Sequence, residues 1–283
     1  MSDNLVDIEN LRIAFRTDEG TYAEAVRGVS FSLGREKLGI VGESGSGKSL
    51  SGRALLGVLP PYAKMSVDRM QFDGIDLRTA SPKLRRSLRG GRMGMILQDP
   101  KFSLNPVMTV GSQIVEAIRI GNHHISGTDA KKQALGTLEA VHIREPERVF
   151  ALYPHELSGG MGQRVMIAMM VVREPDLLIA DEPTSALDVT VRTQVLSILD
   201  ELVTRRGMGL IFISHDLRLV SKFCDRVIVM YAGRIVETLW ADRLEQATHP
   251  YTRGLLSCLP SIDGALDPLP TLQREDSWRG ADL

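Results

Sequence analysis

Apolar runs of strand length alternate with helix-like patterns along most of this chain. Residues 5–15 and 29–41 are rich in Val, Ile and Phe and are separated by glycines and a polar loop, which predicts strands. Two further apolar runs, at 176–180 and 210–214, each precede a segment with helical periodicity. Strands that alternate with helices form mostly parallel sheets covered on both faces. The pattern therefore predicts an α/β fold.

A block of consecutive helical patterns interrupts this alternation. The patterns cover residues 110–120, 130–141 and 159–172. We interpret residues 98–172 as a helical subdomain, inserted into an α/β core that comprises residues 1–97 and 173–240.

The last part of the chain carries different signals. Two short runs rich in β-branched residues, joined across Ala232-Gly233, predict a hairpin. Beyond Trp240 prolines accumulate, so residues 241–283 are expected to form an irregular extension. Whether the segment beyond Pro270 is ordered or frayed stays an open question.

Composition narrows the range of functions. Hydrophobic residues make up 43% and charged residues 24% of the chain, which is typical of a globular protein. The net charge of −1 gives no bulk attraction to nucleic acid or anionic lipid. Cys224 and Cys258 lie too far apart for a metal-ligand pair and are typical of a reducing cytosol. The longest apolar run, 165–172, is far shorter than the ~20 residues of a membrane span, so only partners could link the chain to a membrane.

A glycine-rich loop follows the strand pattern that ends at residue 41. Residues 42–49 match the pattern G-x-x-x-x-G-K-[ST] completely and lead into a helical pattern. Glycines let backbone N–H groups approach phosphates, Lys48 supplies a charge for the β- and γ-phosphates, and the Ser49 hydroxyl completes a Mg²⁺ shell. A chance match is the alternative, but phosphate loops require this strand–loop–helix context. The candidate nucleotide-binding residues are Gly42, Glu43, Ser44, Gly45, Ser46, Gly47, Lys48, Ser49 and Leu50.

Two acidic residues follow the buried-strand pattern at 177–180. Such a strand delivers Asp181 to the carboxyl edge of the sheet, where a carboxylate organises Mg²⁺ beside a phosphate loop. Glu182 points in another direction and is a candidate general base for an attacking water. A solvated turn is the alternative interpretation, and the phosphate loop argues against it.

Two polar residues end other predicted strands. Gln98 follows a short apolar run and could reach Mg²⁺ and the water through its amide oxygen. His215 follows the run that ends at Ser214 and could donate a hydrogen bond to the γ-phosphate. A single Gln or His at a strand end is usually structural, so both assignments depend on the other motifs.

Residues 157–164, Leu-Ser-Gly-Gly-Met-Gly-Gln-Arg, resemble the signature motif of ATP-binding-cassette (ABC) ATPases. The family's other motifs lie around it in family order: the phosphate loop at 42–49, the glutamine loop at Gln98, the acidic strand at 177–182, the D-loop at 185–188 and the switch histidine at His215. The resemblance implies a P-loop (RecA-like) fold with a mostly parallel sheet, an antiparallel β subdomain and an inserted helical subdomain. It also implies hydrolysis of ATP with Mg²⁺.

The resemblance further implies a dimer. In this family the helix that follows the signature serine meets the γ-phosphate held by the opposite subunit, so two cassettes enclose each ATP. Ser158 is a good N-cap for such a helix. Met161 and Gly162 stand where many members carry glutamines, which we do not interpret as inactivation. The residues implied in nucleotide contact are Ser158, Gly159, Gly160, Gln163 and Asp188.

The family also places an aromatic ring against the adenine. Phe15, at the end of the first predicted strand, occupies the expected position, and Tyr22 is the alternative. A core role for Phe15 is the competing interpretation.

Further patterns resemble the dipeptide, oligopeptide and nickel importer branch of this family. They are Gln-Asp-Pro at 98–100 with Ser-Leu-Asn-Pro at 103–106, Tyr-Pro-His-Glu-Leu-Ser at 153–158, and His-Pro-Tyr-Thr-Arg at 249–253. The resemblance covers residues 5–262 and implies a cassette domain at 1–262, overlapped by a branch-specific extension at 241–283. It implies that residues 99–120 help to grip a permease helix.

This branch implies a set of partners and a place in the cell. The chain is expected at the cytoplasmic face of the bacterial inner membrane, with a second and different cassette, two permeases and an external solute-binding protein. Peptides, opines, nickel and sugar conjugates all stay open as cargo. The alternative is a soluble ABC ATPase that acts on ribosomes or nucleic acid; the single signature and the lack of sustained heptads argue against it.

Overall fold

The structure is a computed structural model that describes residues 4–100, 103–185 and 187–258. Its strands are β1 (Val6–Arg16), β2 (Tyr22–Leu33), β3 (Lys37–Val41), β4 (Lys64–Ser66), β5 (Arg69–Phe72), β6 (Ile75–Asp76), β7 (Met93–Ile96), β8 (Leu177–Asp181), β9 (Gly209–Ser214), β10 (Arg226–Tyr231) and β11 (Arg234–Trp240). Its helices are α1 (Lys48–Leu56), α2 (Pro82–Leu88), α3 (Val110–Gly121), α4 (Gly127–Ala140), α5 (Pro146–Ala151), α6 (Gly159–Val171), α7 (Val189–Arg206), α8 (Leu217–Phe223) and α9 (Pro250–Ser257). The chain divides into two compact units, one formed by residues up to 80 and from 211 onward, the other by residues 81–210.

In the first unit, β1 lies at the centre of an antiparallel sheet. It pairs with β2 along one edge and with β4 and β5 along the other. Ile8 and Leu11 are both buried although three positions separate them, because the register with β2 shifts between them. Asn10, with φ 53°, lies within this irregularity. The bulge therefore lets both halves of β1 direct their apolar residues toward the same core.

A second set of strands in this unit carries the phosphate loop. β3 pairs in parallel with β10, and β10 pairs antiparallel with β11. The two-residue turn between β10 and β11 consists of Ala232 (φ 46°) and Gly233 (φ 85°). Left-handed conformations at both positions match the twist of a tight hairpin. The predicted hairpin is thus confirmed.

In the second unit, β7 and β8 pair in parallel, with Met93 opposite Leu177 and Ile96 opposite Ala180. Every residue of β8 is buried, as a continuous apolar run predicts for a strand covered on both faces. Helices α3, α4, α5 and α6 pack against one another, so the helical patterns within 110–172 are confirmed. Among the described helices, none combines the length and the apolar character needed to span a bilayer.

The C-terminal region differs from the prediction. Residues 250–257 form α9 rather than an irregular segment, so the prediction is wrong there. Pro250 occupies the first turn, where its fixed φ suits a helix and its missing N–H is not needed, and His249 is the N-cap. Prolines can thus begin a helix as well as end one. Residues 259–283, including everything beyond Pro270, lie outside the described residues.

Candidate functional site

The backbone of the predicted phosphate loop leaves no room for side chains at two of its glycines. Gly42 (φ 152°) and Gly47 (φ 96°) both adopt conformations that favour glycine. A Cβ added to Gly42 would lie 2.1 Å from the carbonyl oxygen of Met230, and one added to Gly47 would lie 2.9 Å from that of Ala25. The spacing of the motif is therefore a steric requirement of this loop.

Lys48 lies inside this loop with only 5% of its surface exposed. Its Nζ donates to the carbonyl oxygens of Gly42 (2.8 Å) and Glu43 (2.7 Å), and it is 3.4 Å from the hydroxyl of Ser46. The loop thus holds a cation at its centre. This charge and the surrounding backbone fit a phosphate group.

Helix α1 begins directly at the loop without a side-chain cap. Its N-cap is Gly47, which has no acceptor to offer to the first-turn N–H groups. The helix dipole and these donors favour an anion at this end. Ser49, in the same turn, is half-buried. The arrangement suits the phosphates of a nucleotide.

The acidic strand has the geometry expected for a functional strand end. Asp181 is the last residue of β8 and is buried. Glu182 follows with φ 49°, a conformation that non-glycine residues seldom adopt and that is concentrated at functional sites. The N–H and hydroxyl of Ser185 donate to the carbonyl oxygen of Glu182 at 3.3 and 3.2 Å, which stabilises the turn.

The residues predicted to hold a metal carry suitable donor atoms. The carboxylate of Asp181, the amide of Gln98 and the hydroxyl of Ser49 are all oxygen donors, which Mg²⁺ prefers. The chemistry of this set fits the ion.

Within the second unit, the structure brings together several predicted residues from separate motifs. Gln98 lies two residues beyond β7 and is exposed. It lines a cavity of about 560 Å³. Ser158, Gly159, Gln163 and Leu187 line the same cavity. The glutamine loop, the signature and the segment before α7 therefore share one surface of this unit.

The signature turn begins α6. The hydroxyl of Ser158 accepts a hydrogen bond from the N–H of Met161 at 3.3 Å, which confirms the predicted N-cap. A Cβ added to Gly159 would meet nothing within 4 Å, whereas one added to Gly160 would lie 2.6 Å from Cγ1 of Val191. Gln163 is only 1% exposed, and its Nε2 has no hydrogen-bond partner among the described residues.

Asp188 is the N-cap of α7. Its Oδ1 accepts from the N–H of Val191 at 3.0 Å. The first residue of this helix, Val189, is apolar but 75% exposed. The predicted D-loop thus ends in a structural cap beside an uncovered apolar side chain, and its Ala186 lies outside the described residues.

The remaining two predicted site residues belong to the first unit. His215 follows β9 and is exposed, between Ser214, whose hydroxyl accepts from the N–H of Asp216 (3.0 Å), and the N-cap Asp216 of α8. Phe15 is half-buried near the end of β1. Its ring lies 5.9 Å from that of Tyr62, which is 69% exposed. Sequence reasoning missed Tyr62, because no motif marks it and the contact joins segments far apart in the chain.

Comparison with known proteins identifies the family. The family model for ABC transporters matches residues 26–185, more than half of the chain. This chain belongs to the ABC transporter family. Among relatives of this ABC subunit, the dipeptide transport ATP-binding protein DppD of Haemophilus influenzae is 46% identical over 273 residues, which are 95% of this chain and 82% of that protein. The oligopeptide transport ATP-binding protein OppD of Bacillus subtilis is 46% identical over 264 residues, 92% of this chain and 73% of that protein.

Solved structures of ABC cassettes show the same fold. The dimeric structure of MJ0796, a bacterial ABC transporter cassette, matches with a TM-score of 0.74 at 25% identity and covers 83% of this chain and 98% of that one. A second structure of that cassette is a post-hydrolysis state bound to ADP and Pi. The ABC subunit described here accordingly has the α/β P-loop fold with antiparallel and helical subdomains. It is an ATP-binding and ATP-hydrolysing subunit.

Proposed function

We propose that this chain hydrolyses ATP to drive a membrane importer of peptides or of a chemically related small solute. The observation that carries the proposal is the 46% identity, over more than nine-tenths of this chain, to subunits named for dipeptide and oligopeptide transport. The cassette occupies residues 1–262, with its helical subdomain at 98–172 and the branch-specific extension at 241–283. It works at the cytoplasmic face of the bacterial inner membrane.

The proposed roles in phosphate binding follow from the loop geometry. Lys48 and the amides of residues 42–50 hold the phosphates of ATP, and Phe15 stacks against the adenine. The buried position of Lys48 and the uncapped start of α1 support this assignment. His215, exposed after β9, donates to the γ-phosphate.

Three further residues organise the reacting end of the nucleotide. Ser49, Gln98 and Asp181 hold Mg²⁺, which neutralises charge on the phosphate oxygens when bound. Glu182 accepts a proton from the attacking water. The left-handed backbone at Glu182 supports a specialised role, because such conformations persist where a side chain must be aimed.

A second cassette completes the site. Ser158, Gly159, Gly160, Gln163 and Asp188 contact the nucleotide held by the partner cassette. The open space at Gly159 supports this role, because a phosphate can approach the helix start closely there. Exposed Val189, beside the cap Asp188, is an apolar side chain that a partner subunit would cover. The dimeric cassette MJ0796 supports the same arrangement.

We assign permease contact to the cavity lined by Gln98 and Ser158. Leu104, Pro106, Pro154 and Leu157 give this cavity an apolar lining, and Val107 beside it is exposed. A short amphipathic helix of a permease fits such a groove. Because Gln98 and Ser158 line the same cavity, closure of two cassettes on ATP would move the groove and so the permeases.

The decisive experiment purifies the tagged chain from detergent-solubilised native membranes and identifies the proteins that accompany it. We expect two polytopic proteins and a second cassette. The complex, reconstituted in vesicles with its solute-binding protein, should then hydrolyse ATP faster when short peptides are added. Recovery of ribosomes or nucleic acid instead would contradict the importer assignment, and stimulation by another solute alone would correct the cargo.

A further inference from the structure

The C-terminal helix α9 reaches the start of the phosphate loop. Tyr251 of this helix is fully buried, and its phenol oxygen accepts a hydrogen bond from the N–H of Glu43 at 3.1 Å. Its ring packs against that of Tyr231, the last residue of β10, with 4.5 Å between centroids. A side chain 208 positions away along the chain thus supplies an acceptor to the loop.

Together with a bond from Lys48, this hydrogen bond holds one peptide group at both of its ends. The N–H of Glu43 and the carbonyl of Gly42 belong to the same planar peptide. The N–H donates to Tyr251, and the carbonyl accepts from Nζ of Lys48 at 2.8 Å. A rotation of this plane would break both contacts together. Gly42 has no side chain to restrict its own backbone dihedrals, so these two hydrogen bonds add to the close packing of the loop in orienting the plane.

Helix α9 is itself anchored to β11. Oε1 of Glu237 accepts from the N–H of Thr248 (2.7 Å), the hydroxyl of Thr248 (3.0 Å) and the N–H of His249 (3.3 Å). Thr252, in the first turn of α9, is fully buried. The start of the helix is therefore anchored by these contacts, which give Tyr251 a fixed position.

We propose that Tyr251 is a positioning residue for ATP binding, which holds the Gly42–Glu43 peptide and through it the ammonium of Lys48. This inference rests on the proposed role of residues 42–49 in nucleotide binding. In the absence of the phenol oxygen, the loop samples other orientations of this peptide, and ATP must select the competent one. The apparent affinity falls by the fraction of loops that are competent. Helix α9 is then part of the support of the nucleotide site.

The test removes one oxygen atom and keeps the ring. Tyr251→Phe is compared with Tyr231→Phe, which makes the same change in the other ring of the pair. Affinity for a fluorescent ATP analogue and the melting temperature without nucleotide are measured on the purified full chain, and KM and kcat are measured on the complex purified with its partner cassette and permeases. Loss of one net hydrogen bond predicts affinity about three- to tenfold weaker and a raised KM with little change in kcat for Tyr251→Phe. Tyr231→Phe should bind like wild type.

Two more variants distinguish a failure of the positioning role of Tyr251 from a failure of the assigned nucleotide site. Glu237→Ala releases the start of α9, so it should also weaken ATP binding, and it should add little when Tyr251 is already Phe. Lys48→Ala checks the loop itself. If Lys48→Ala binds ATP normally, the nucleotide site is assigned wrongly. If Lys48→Ala loses binding while Tyr251→Phe shows only a lower melting temperature, the loop assignment stands and the positioning role is overturned.

Discussion

The phosphate loop and the signature turn are both glycine-rich segments that begin a helix, but they are built differently. In the phosphate loop, Gly42 and Gly47 are packed against backbone: a Cβ at Gly42 would lie 2.1 Å from a carbonyl oxygen. In the signature turn, a Cβ at Gly159 would meet nothing within 4 Å. Close packing fixes the shape of the first segment, whereas the second leaves open space at the helix start.

The first turns of helices α1 and α6 also differ in the protein groups that contact them. Helix α1 begins at Gly47 without a side-chain cap and has the buried ammonium of Lys48 beside it. Helix α6 begins at Ser158, whose hydroxyl accepts from the N–H of Met161. The first arrangement supplies both charge and donors for an anion, whereas the second supplies donors next to an open face. Under the proposed function, this difference means that the first segment binds phosphate by itself, whereas the second contributes only part of a phosphate site.

The largest effect is expected from Glu182→Gln, which should separate binding from turnover. Loss of a general base lowers turnover by about 10²–10⁴, while the phosphate loop still binds ATP. Mixed with its partner cassette and ATP, the variant should accumulate as a closed dimer, in which the signature of each cassette contacts the nucleotide of the other. Gel filtration with and without ATP, together with phosphate release, measures both properties. Rapid turnover by this variant would remove Glu182 from the role of base.

Lys48→Ala should weaken ATP binding by on the order of 100-fold, because charge-assisted hydrogen bonds to the phosphates are lost. The exposed Lys83, changed to Ala, is a control of the same chemistry and should leave binding unaltered. Titration with a fluorescent ATP analogue compares the two. If Lys48→Ala and Lys83→Ala bound ATP with equal affinity, Lys48 would not contribute to phosphate binding by the loop.

Replacing Gly42 or Gly159 by alanine directly tests the difference in packing between the two segments. Gly42→Ala forces a side chain into backbone at a left-handed φ and should destabilise the fold by more than about 2 kcal/mol. Gly159→Ala should leave the free energy of unfolding within about 0.5 kcal/mol of wild type but lower ATPase activity, because the methyl group occupies the open face. Urea denaturation and steady-state turnover give the two readouts. Equal losses of stability would refute the structural contrast.

The smallest effect concerns the support of the phosphate loop by α9. Partial burial acts to raise the pKa of Glu237, but the neighbouring polar groups of Thr252, Thr248 and His249 outweigh it and lower the pKa. A lowered pKa in the folded state contributes stability above the unfolded value, and this contribution is lost as the pH falls through the folded value. Stability should thus decrease below the ordinary glutamate value of 4.5.

Glu237→Gln provides the matched control for this titration. It should be less stable than wild type at pH 7, and the difference should shrink as the pH is lowered below 4.5. Denaturation curves at several pH values measure it. A constant difference across this range would show that ionisation of Glu237 does not contribute.

Local patterns predicted the elements that carry the candidate site. The apolar run of β8 predicted a strand buried on both faces, and the strand–loop–helix context of residues 42–49 predicted the start of α1. The Ser158 cap could be predicted as well, since a serine before a helical pattern acts on residues three positions away. Apart from α9, several elements that escaped prediction are short: β4, β5, β6 and α5 each contain too few residues for a periodic signal.

The sequence by itself determined the family, the α/β order of elements and the residues of the motifs, because each depends on a few neighbouring positions. Only the tertiary structure decided which distant segments support them. The contact between Tyr251 and Glu43 joins residues 208 positions apart, and the proline-rich segment around Tyr251 gave no local sign of a helix with a buried tyrosine. Local backbone preferences depend on a few neighbouring residues, so they can be recognised in the sequence. A hydrogen bond between remote residues depends on how whole elements pack, so it becomes visible only once the fold is known.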